Sequence, residues 1–532
     1  MRKICLAALG LCAAAVTVQA QTMAMNPLQK LQYAEHIIEK FYVDSVNSET
    51  MVESAITAML KKLDPHSQYT NAEETREFTE PLSGNFSGIG IQFNMATDTV
   101  YVIQTIAGGP SERVGILAGD RIISANDTVI AGKKLKNSQV MKHLRGPKGT
   151  VVDLGVMRRG VPDTLNFRVV RDDIPIYSVD AAYMIDPATG YVRVSRFAET
   201  TFDEMKKALG DLRKKGMKNL VIDLQDNGGG FLQAATQVAE LFLDKGDRVV
   251  YTQGENTRPM YFDVTKNGPY RDCKVVVLVN QYSASASEIL SGALQDNDRG
   301  VIVGRRTYGK GLVQRPFPFP DGSMIRLTVA RYYTPSGRCI QKPYNEGDDD
   351  YYADIMHRYD SGELTNADSI HFSDSLLFRT NRLNRPVYGG GGIMPDRFVP
   401  IDTVGYSDYY RDLMAKGVLY RYCLKYVEEH RADIKKNYPD VEAFVKGFTV
   451  TPAMMDEMVA FGEKEGVSKN AEQLAVSSAI IHTILKAYIG RDIYDEAAFY
   501  RVANGLNPIY KKGVDIISSQ EEYSSVLSPS DK

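Results

Sequence analysis

Three stretches carry residue types suited to acyl transfer. In Val275-Val276-Val277-Leu278-Val279-Asn280, then Gln281-Tyr282-Ser283-Ala284-Ser285-Ala286-Ser287-Glu288, an apolar run ends in a small-residue turn that opens a helical pattern. A serine there sits among backbone N–H groups without helical partners, at the positive end of the helix dipole. Attack on a carbonyl needs that pairing of a hydroxyl with donors for the oxyanion. Ser283, Ser285 and Ser287 fit ordinary turn and cap positions equally well, so the run decides nothing alone. The second stretch, Asp223-Leu224-Gln225-Asp226-Asn227-Gly228-Gly229-Gly230, makes the same strand-to-helix passage. Glycines at such a junction let amides approach a ligand.

The third stretch concerns the base. None of the seven histidines (His36, His66, His143, His357, His371, His430 and His482) lies between Asp180 and Arg331, where both turns are. A serine–histidine pair would need one folded in from elsewhere. His66, in a Pro-His-Ser turn, is the least remote choice and reads equally as a polar turn residue. Lys310 stands between two glycines in Thr307-Tyr308-Gly309-Lys310-Gly311. A buried lysine acts as a general base because low dielectric disfavours its charge. Moving its pKa from about 10.4 to about 7 takes roughly 4–5 kcal/mol, within reach of partial burial. A solvated loop lysine would carry the same letters.

The elements around these stretches set the architecture. From Asp180 to Arg331 strands and helices alternate, which predicts α/β. Strands are expected at Tyr191–Val194, Leu220–Leu224, Val275–Val279 and Val301–Val303, and helices at Thr201–Lys215, Phe231–Leu243 and Ala286–Gln295. Both turns then fall on the carboxyl edge of one sheet, where sites form. Leu312–Phe317 and Met324–Tyr333 read as a hairpin. From about Gly84 to Arg171 the pattern is short strands and turns: Gly88–Phe93, Val100–Ile103, a turn at Ala118–Asp120 into a strand, a helix at Asn137–Leu144, then Val151–Met157 and Thr164–Val170. Residues from about 345 to 385, opening on Asp348, Asp349 and Asp350, read as an insertion or a long loop. Gly389–Gly392 reads as a loop returning to the core. Helical spacing marks about Asn26 to Glu77 and the chain from Ser407 on, with a polar tail after Ser518.

Together, Ser283-Ala284-Ser285-Ala286-Ser287-Glu288-Ile289-Leu290-Ser291-Gly292-Ala293-Leu294-Gln295-Asp296, Gly309-Lys310-Gly311-Leu312-Val313-Gln314 and Asp223 to Gly230 resemble the signatures of the C-terminal processing (tail-specific) peptidases, from about Leu63 to Pro400. The resemblance implies a ClpP/crotonase-like α/β peptidase core with an inserted PDZ-like β domain, flanked by N- and C-terminal helical regions. It implies that Ser285 is the nucleophile, Lys310 the base and Gln314 the residue that orients it, with the amides of Ala286 and Gly230 (or its neighbour Gly229) as oxyanion donors. It assigns substrate-tail binding to Gly88, Ile89, Gly90 and Ile91, and a PDZ groove does take a peptide as an added strand with its carboxylate on loop amides. By the same resemblance, tail binding moves the PDZ and assembles the dyad. This chain departs from the family turn at Gln225 and Gly228, where arginine and proline are usual. A non-catalytic PDZ scaffold and another exported acyl hydrolase remain as alternatives, although no G-x-S-x-G elbow is present.

The whole chain bounds these readings. Its 532 residues allow several domains: a signal at 1–20, a helical region at 21–82, the PDZ at 83–172, the core at 173–403 and a helical region at 404–532. With 63 basic and 66 acidic side chains, nothing argues for nucleic acid as a partner; protein or peptide C-termini are expected instead. Homo-oligomerisation or an adaptor through the C-terminal helices is open. Arg2 and Lys3 precede an apolar run from Ile4 to Val18, and Val18-Gln19-Ala20 places small residues at −3 and −1. That is a secretory signal layout, so export to the periplasm is expected, with membrane association if the segment stays uncleaved. Cys273, Cys339 and Cys423, left after the signal, make no disulfide framework. Without an HExxH pattern or a Cys/His cluster, the reading calls for no metal and no cofactor.

Overall fold

Lys274–Val279 is apolar almost throughout because its sheet is covered on both faces, as parallel sheets are. Side chains alternate along the strand. Val275, Val277 and Val279 face a core built with helices Thr201–Lys214, Leu232–Glu240 and Ala286–Asp296. Val276 and Leu278 face Ile509, Ile516, Ile517, Tyr523 and Val526 on the opposite side. The six-stranded sheet runs Val179–Met184, Thr189–Val194, Asn219–Asp223, Lys274–Val279, Val301–Gly304, Arg397–Phe398. All neighbours are parallel except the first pair. In this computed structural model residues 25–95, 98–345 and 347–529 are described. The signal expected at 1–20 lies outside them.

The chain divides into two compact units, up to Leu63 and from Asp64 on. The first holds helices Pro27–Phe41 and Ser48–Leu60. Asn26 and Gln29 cap the former reciprocally, at 2.8 and 3.1 Å.

In the second unit, helix Ala72–Ser83 precedes the β module. The module's strands lie in the order Ile91–Asn94, Val100–Thr105, Arg121–Ala125, Val151–Met157, Leu165–Val170, all antiparallel, with helix Asn137–Leu144 burying Val140 and Leu144. The single strand expected at Gly88–Phe93 is two. Asn85–Gly88 pairs with Asp172–Pro175 where the chain enters and leaves the module, and Ile91–Asn94 begins after a turn at Ile89-Gly90. A second sheet joins Gln68–Thr70, Met324–Tyr333, Arg248–Gly254 and Thr257–Asp263, with Leu312–Pro318 also on Met324–Tyr333.

Two other expectations change. The acidic run Asp348–Asp350 is the first turn of helix Asp348–Asp360, where carboxylates favour the dipole, rather than a loop. The tail after Ser518 is not a free polar end. Helix Gln520–Val526 buries Tyr523 and Val526 against the main sheet, and Tyr523 Oη accepts from Val275 N at 3.1 Å. Helices from Asp408–Ala415 to Ala471–Ile493 enclose a core of their own around Leu413, Val427, Met458 and Leu485. Among the described residues no helix is long and apolar enough to cross a membrane, and Cys273, Cys339 and Cys423 are free thiols.

Candidate active site

Three turns leave the carboxyl edge of the main sheet, after Asn219–Asp223, Lys274–Val279 and Val301–Gly304. The first two are tied by the outer serines. Ser283 Oγ donates to Leu224 O at 2.7 Å, and Ser287 Oγ donates to Asn227 O at 2.9 Å; both residues are fully buried. Ser285 forms no such tie. It lines a cavity of about 540 Å³ shared with Lys310, Gln314 and Gly228–Gly230. Its backbone has φ +56° and ψ −114°, the mirror image of a type II turn's first central residue, a conformation that ordinary side chains rarely hold.

Glu288, one helical turn on, makes that conformation hold. Its buried carboxylate accepts from Ser285 N (2.8 Å), Lys310 N (2.9 Å), Gly309 N (2.7 Å) and Thr307 Oγ1 (2.5 Å). Burial pushes this carboxyl up, opposed by those four donors. One side chain thus joins the serine turn to the lysine loop. Tyr332 reinforces the join, its hydroxyl donating to Lys310 O and, at 3.2 Å, to Ser285 O. Replacing Glu288 with Gln turns two acceptor sites into donors facing backbone N–H groups. We expect a loss of roughly 3 kcal/mol of stability, read as a lower melting temperature, together with a fall in turnover.

Burial pushes the Lys310 amine down to about 8; Arg326 adds to this, while Glu288 and Asp64 oppose it. No hydrogen bond joins Lys310 Nζ to Ser285 Oγ, although both face the same cavity. Gln314 also lines the cavity, but its Nε2 donates to Thr328 Oγ1 at 3.1 Å instead of orienting Lys310. Thr328 Oγ1 in turn donates to Asp64 at 3.0 Å.

Among the described residues, the amides of Ala286 and Gly230 donate to no acceptor. Gly229 N–H is engaged, donating to Asn227 Oδ1 at 2.8 Å, which favours Gly230 as the second donor. Gly229 serves by being small: a Cβ there would lie 2.7 Å from Ser285 Cβ and 2.9 Å from Ala286 N, and φ is +101°. A Cβ on Gly230 would meet Phe197 O at 2.1 Å.

His66 stays out of the cavity. Its Nε2 lies 2.7 Å from Tyr351 Oη, and burial, with Lys310 nearby, pushes it down to about 3. Tyr351 belongs to helix Asp348–Asp360, whose buried residues Tyr351 and Arg358 are two helical turns apart. Arg358 donates to Thr307 O (2.8 Å) and Tyr308 O (3.1 Å), so the insertion clamps the lysine loop. That seven-residue spacing was the available signal for it.

Helix Ala72–Ser83 forms another wall of the cavity through Glu77, Phe78, Pro81 and Leu82. Glu73 and Glu80 of the same helix pair with Lys142 and Arg145, at and just after the C-terminus of helix Asn137–Leu144 in the β module. The tail-binding residues lie in that module. Gly88 ends a paired strand, and Ile89 is in the module core with its carbonyl held by Ser111 Oγ at 2.7 Å. Gly90 makes the turn, and Ile91 opens a strand at the edge of the sheet.

Family models match in four places: peptidase family S41 over residues 188–350, a PDZ domain over 87–169, the activating protease CtpB N-terminal domain over 12–75, and a family of unknown function over 409–495. The carboxy-terminal-processing protease of Bartonella bacilliformis is 38% identical over 341 residues, 62% of this chain and 77% of that protein. The carboxy-terminal processing protease CtpB of Bacillus subtilis is 35% identical over 331 residues, 61% of this chain and 68% of that protein. Among solved structures, the photosystem II D1 C-terminal processing protease aligns at 31% identity and a TM-score of 0.34, covering 58% of this chain and 83% of that one. With a β module of the PDZ family inserted before an S41 core, this chain belongs to the carboxy-terminal-processing proteases, serine peptidases of family S41.

Proposed function

We propose that this chain is an exported endopeptidase that captures the C-terminal tails of proteins on its PDZ domain and cleaves them with a Ser285–Lys310 dyad. The observation that carries the reading is that only the middle serine of three faces the cavity, opposite a half-buried lysine and beside two unclaimed amides. As Ser285 Oγ bonds to the scissile carbonyl carbon, Lys310 Nζ takes its proton. The amides of Ala286 and Gly230 hold the resulting oxyanion. The C–N bond then breaks, and the lysine proton passes to the leaving amine. Water, deprotonated by the same lysine, attacks the acyl-enzyme ester; the C–Oγ bond breaks, and Lys310 Nζ returns the proton to Ser285 Oγ. Substrate binding brings the two side chains into contact, as catalytic hydrogen bonds commonly tighten only in the complex.

Tail capture rests on the edge position of strand Ile91–Asn94 in its sheet and on the Gly88–Ile91 turn beside it, which together fit strand addition. Export rests on the first 20 residues, with maturation at Gln21.

The test uses one protein substrate with a free apolar C-terminal tail and the same substrate with that carboxylate amidated. The free tail should be cleaved about tenfold more efficiently, mainly through KM, and Ile91→Asp should erase the difference. Equal cleavage of both substrates by the wild type overturns tail capture. Mass spectrometry of the mature N-terminus in the exported fraction tests the signal.

A further inference from the structure

Arg326 is an arginine without a carboxylate. It projects from strand Met324–Tyr333 into the cavity that Ser285 and Lys310 share. Its guanidinium carbon sits 3.9 Å from the Phe78 ring centroid, and Nη2 donates to the neutral Gln68 Oε1 at 2.5 Å. Its Nε is buried without any acceptor, and no acidic side chain pairs with it among the described residues. Arginine keeps its charge under such conditions, so a whole positive charge stands in the cleft with no carboxylate paired to it among the described residues.

The anions nearby are occupied. Glu288, from the helix behind Ser285, accepts its four hydrogen bonds from neutral donors. Asp64, from the turn before Gln68–Thr70, accepts from His66 N, Ser67 N, Ser67 Oγ and Thr328 Oγ1. His66 is uncharged at neutral pH. Arg196 and Glu77 line the same cleft with opposite charges, and burial holds Tyr332 neutral. Of the charges around Lys310, Arg326 is the cation that acts most strongly against a second one.

We propose that Arg326 is a positioning residue for the peptidase reaction: its unpaired charge, fixed by Phe78 and Gln68 in the cavity it shares with Lys310, disfavours a second cation there and so favours the neutral amine that a general base requires. This rests on Lys310 being the base, and the experiment separates the two claims. The Lys310 amine is titrated directly, by the pH dependence of its acylation with acetic anhydride read by peptide mass spectrometry, alongside the pH profile of kcat/KM.

For Arg326→Gln the amine midpoint should rise from about 8 by about one pH unit. The low-pH limb of kcat/KM should follow, giving about tenfold slower turnover at pH 7 and equality with wild type above about pH 10. Arg326→Lys should restore both. Phe78→Ala, which frees the guanidinium into water, should give a smaller shift in the same direction and serves if Arg326→Gln does not fold. An unchanged midpoint in Arg326→Gln, or in Phe78→Ala where that stands in, overturns the proposal. A midpoint that moves while the kcat/KM profile stays put overturns Lys310 as the base and leaves the electrostatic effect intact.

Discussion

Turnover of a tailed substrate by Ser285→Ala is expected to fall by about 10³-fold or more, with the folded state retained. Removing the nucleophile of an acyl-enzyme mechanism leaves only what donors and binding provide. The flanking serines cannot substitute, because their hydroxyls hold Leu224 O and Asn227 O inside the protein. A second variant sharpens the result. Ser285 sits at φ +56°, a region that costs non-glycine residues about 1–3 kcal/mol. Ser285→Gly should therefore be as inactive as Ser285→Ala but melt at a higher temperature. A Ser285→Ala enzyme that keeps its turnover would mean that the nucleophile lies elsewhere.

The second large effect belongs to Lys310. A general base works only when unprotonated, so kcat/KM should rise with pH, climb about tenfold per unit below pH 7, and level off above the amine's value of about 8. The sign follows from the charge: the neutral amine is abundant above that value and scarce below it. Lys310→Ala should lose about 10²–10⁴-fold. Lys310→Arg should fare no better, because a guanidinium does not deprotonate in this range. A base at His66, held near 3, would instead give a profile flat from pH 5 to 9. Stopped assays over that range decide between them.

The α/β architecture and the module before it were legible because covered strands and strand-to-helix turns leave local marks. Val275–Val279 announces a strand buried on both faces, and Ser283–Glu288 announces the helix entry. What local pattern could not show was which serine faces outward. That depends on Leu224 and Asn227, some 60 residues away, accepting from Ser283 and Ser287. Glu288 reads in sequence as a first-turn acid of its helix, and only the return of Thr307–Lys310 makes it the joint of the site. The setting of Lys310 was hidden for the same reason, since Asp64 and Arg326 reach it from other strands and turns. The insertion failed differently: three aspartates suggested a loop, while Tyr351 and Arg358 on one helical face fixed it to the lysine loop. The chain's end looked polar by composition, and two residues, Tyr523 and Val526, sufficed to anchor it.

Helix Ala72–Ser83 touches both sites. It pairs with the PDZ-family module through Glu73 and Glu80 and lines the cleft through Phe78 and Leu82. If a docked tail changes occupancy of the cleft, thermodynamics makes the exchange symmetrical: an occupied cleft changes tail affinity by the same factor. Of the two ion pairs, Glu73–Lys142 is solvent-exposed and Glu80–Arg145 half-buried, and salt weakens the exposed one most. Raising ionic strength should therefore loosen any coupling between the two sites before it unfolds either.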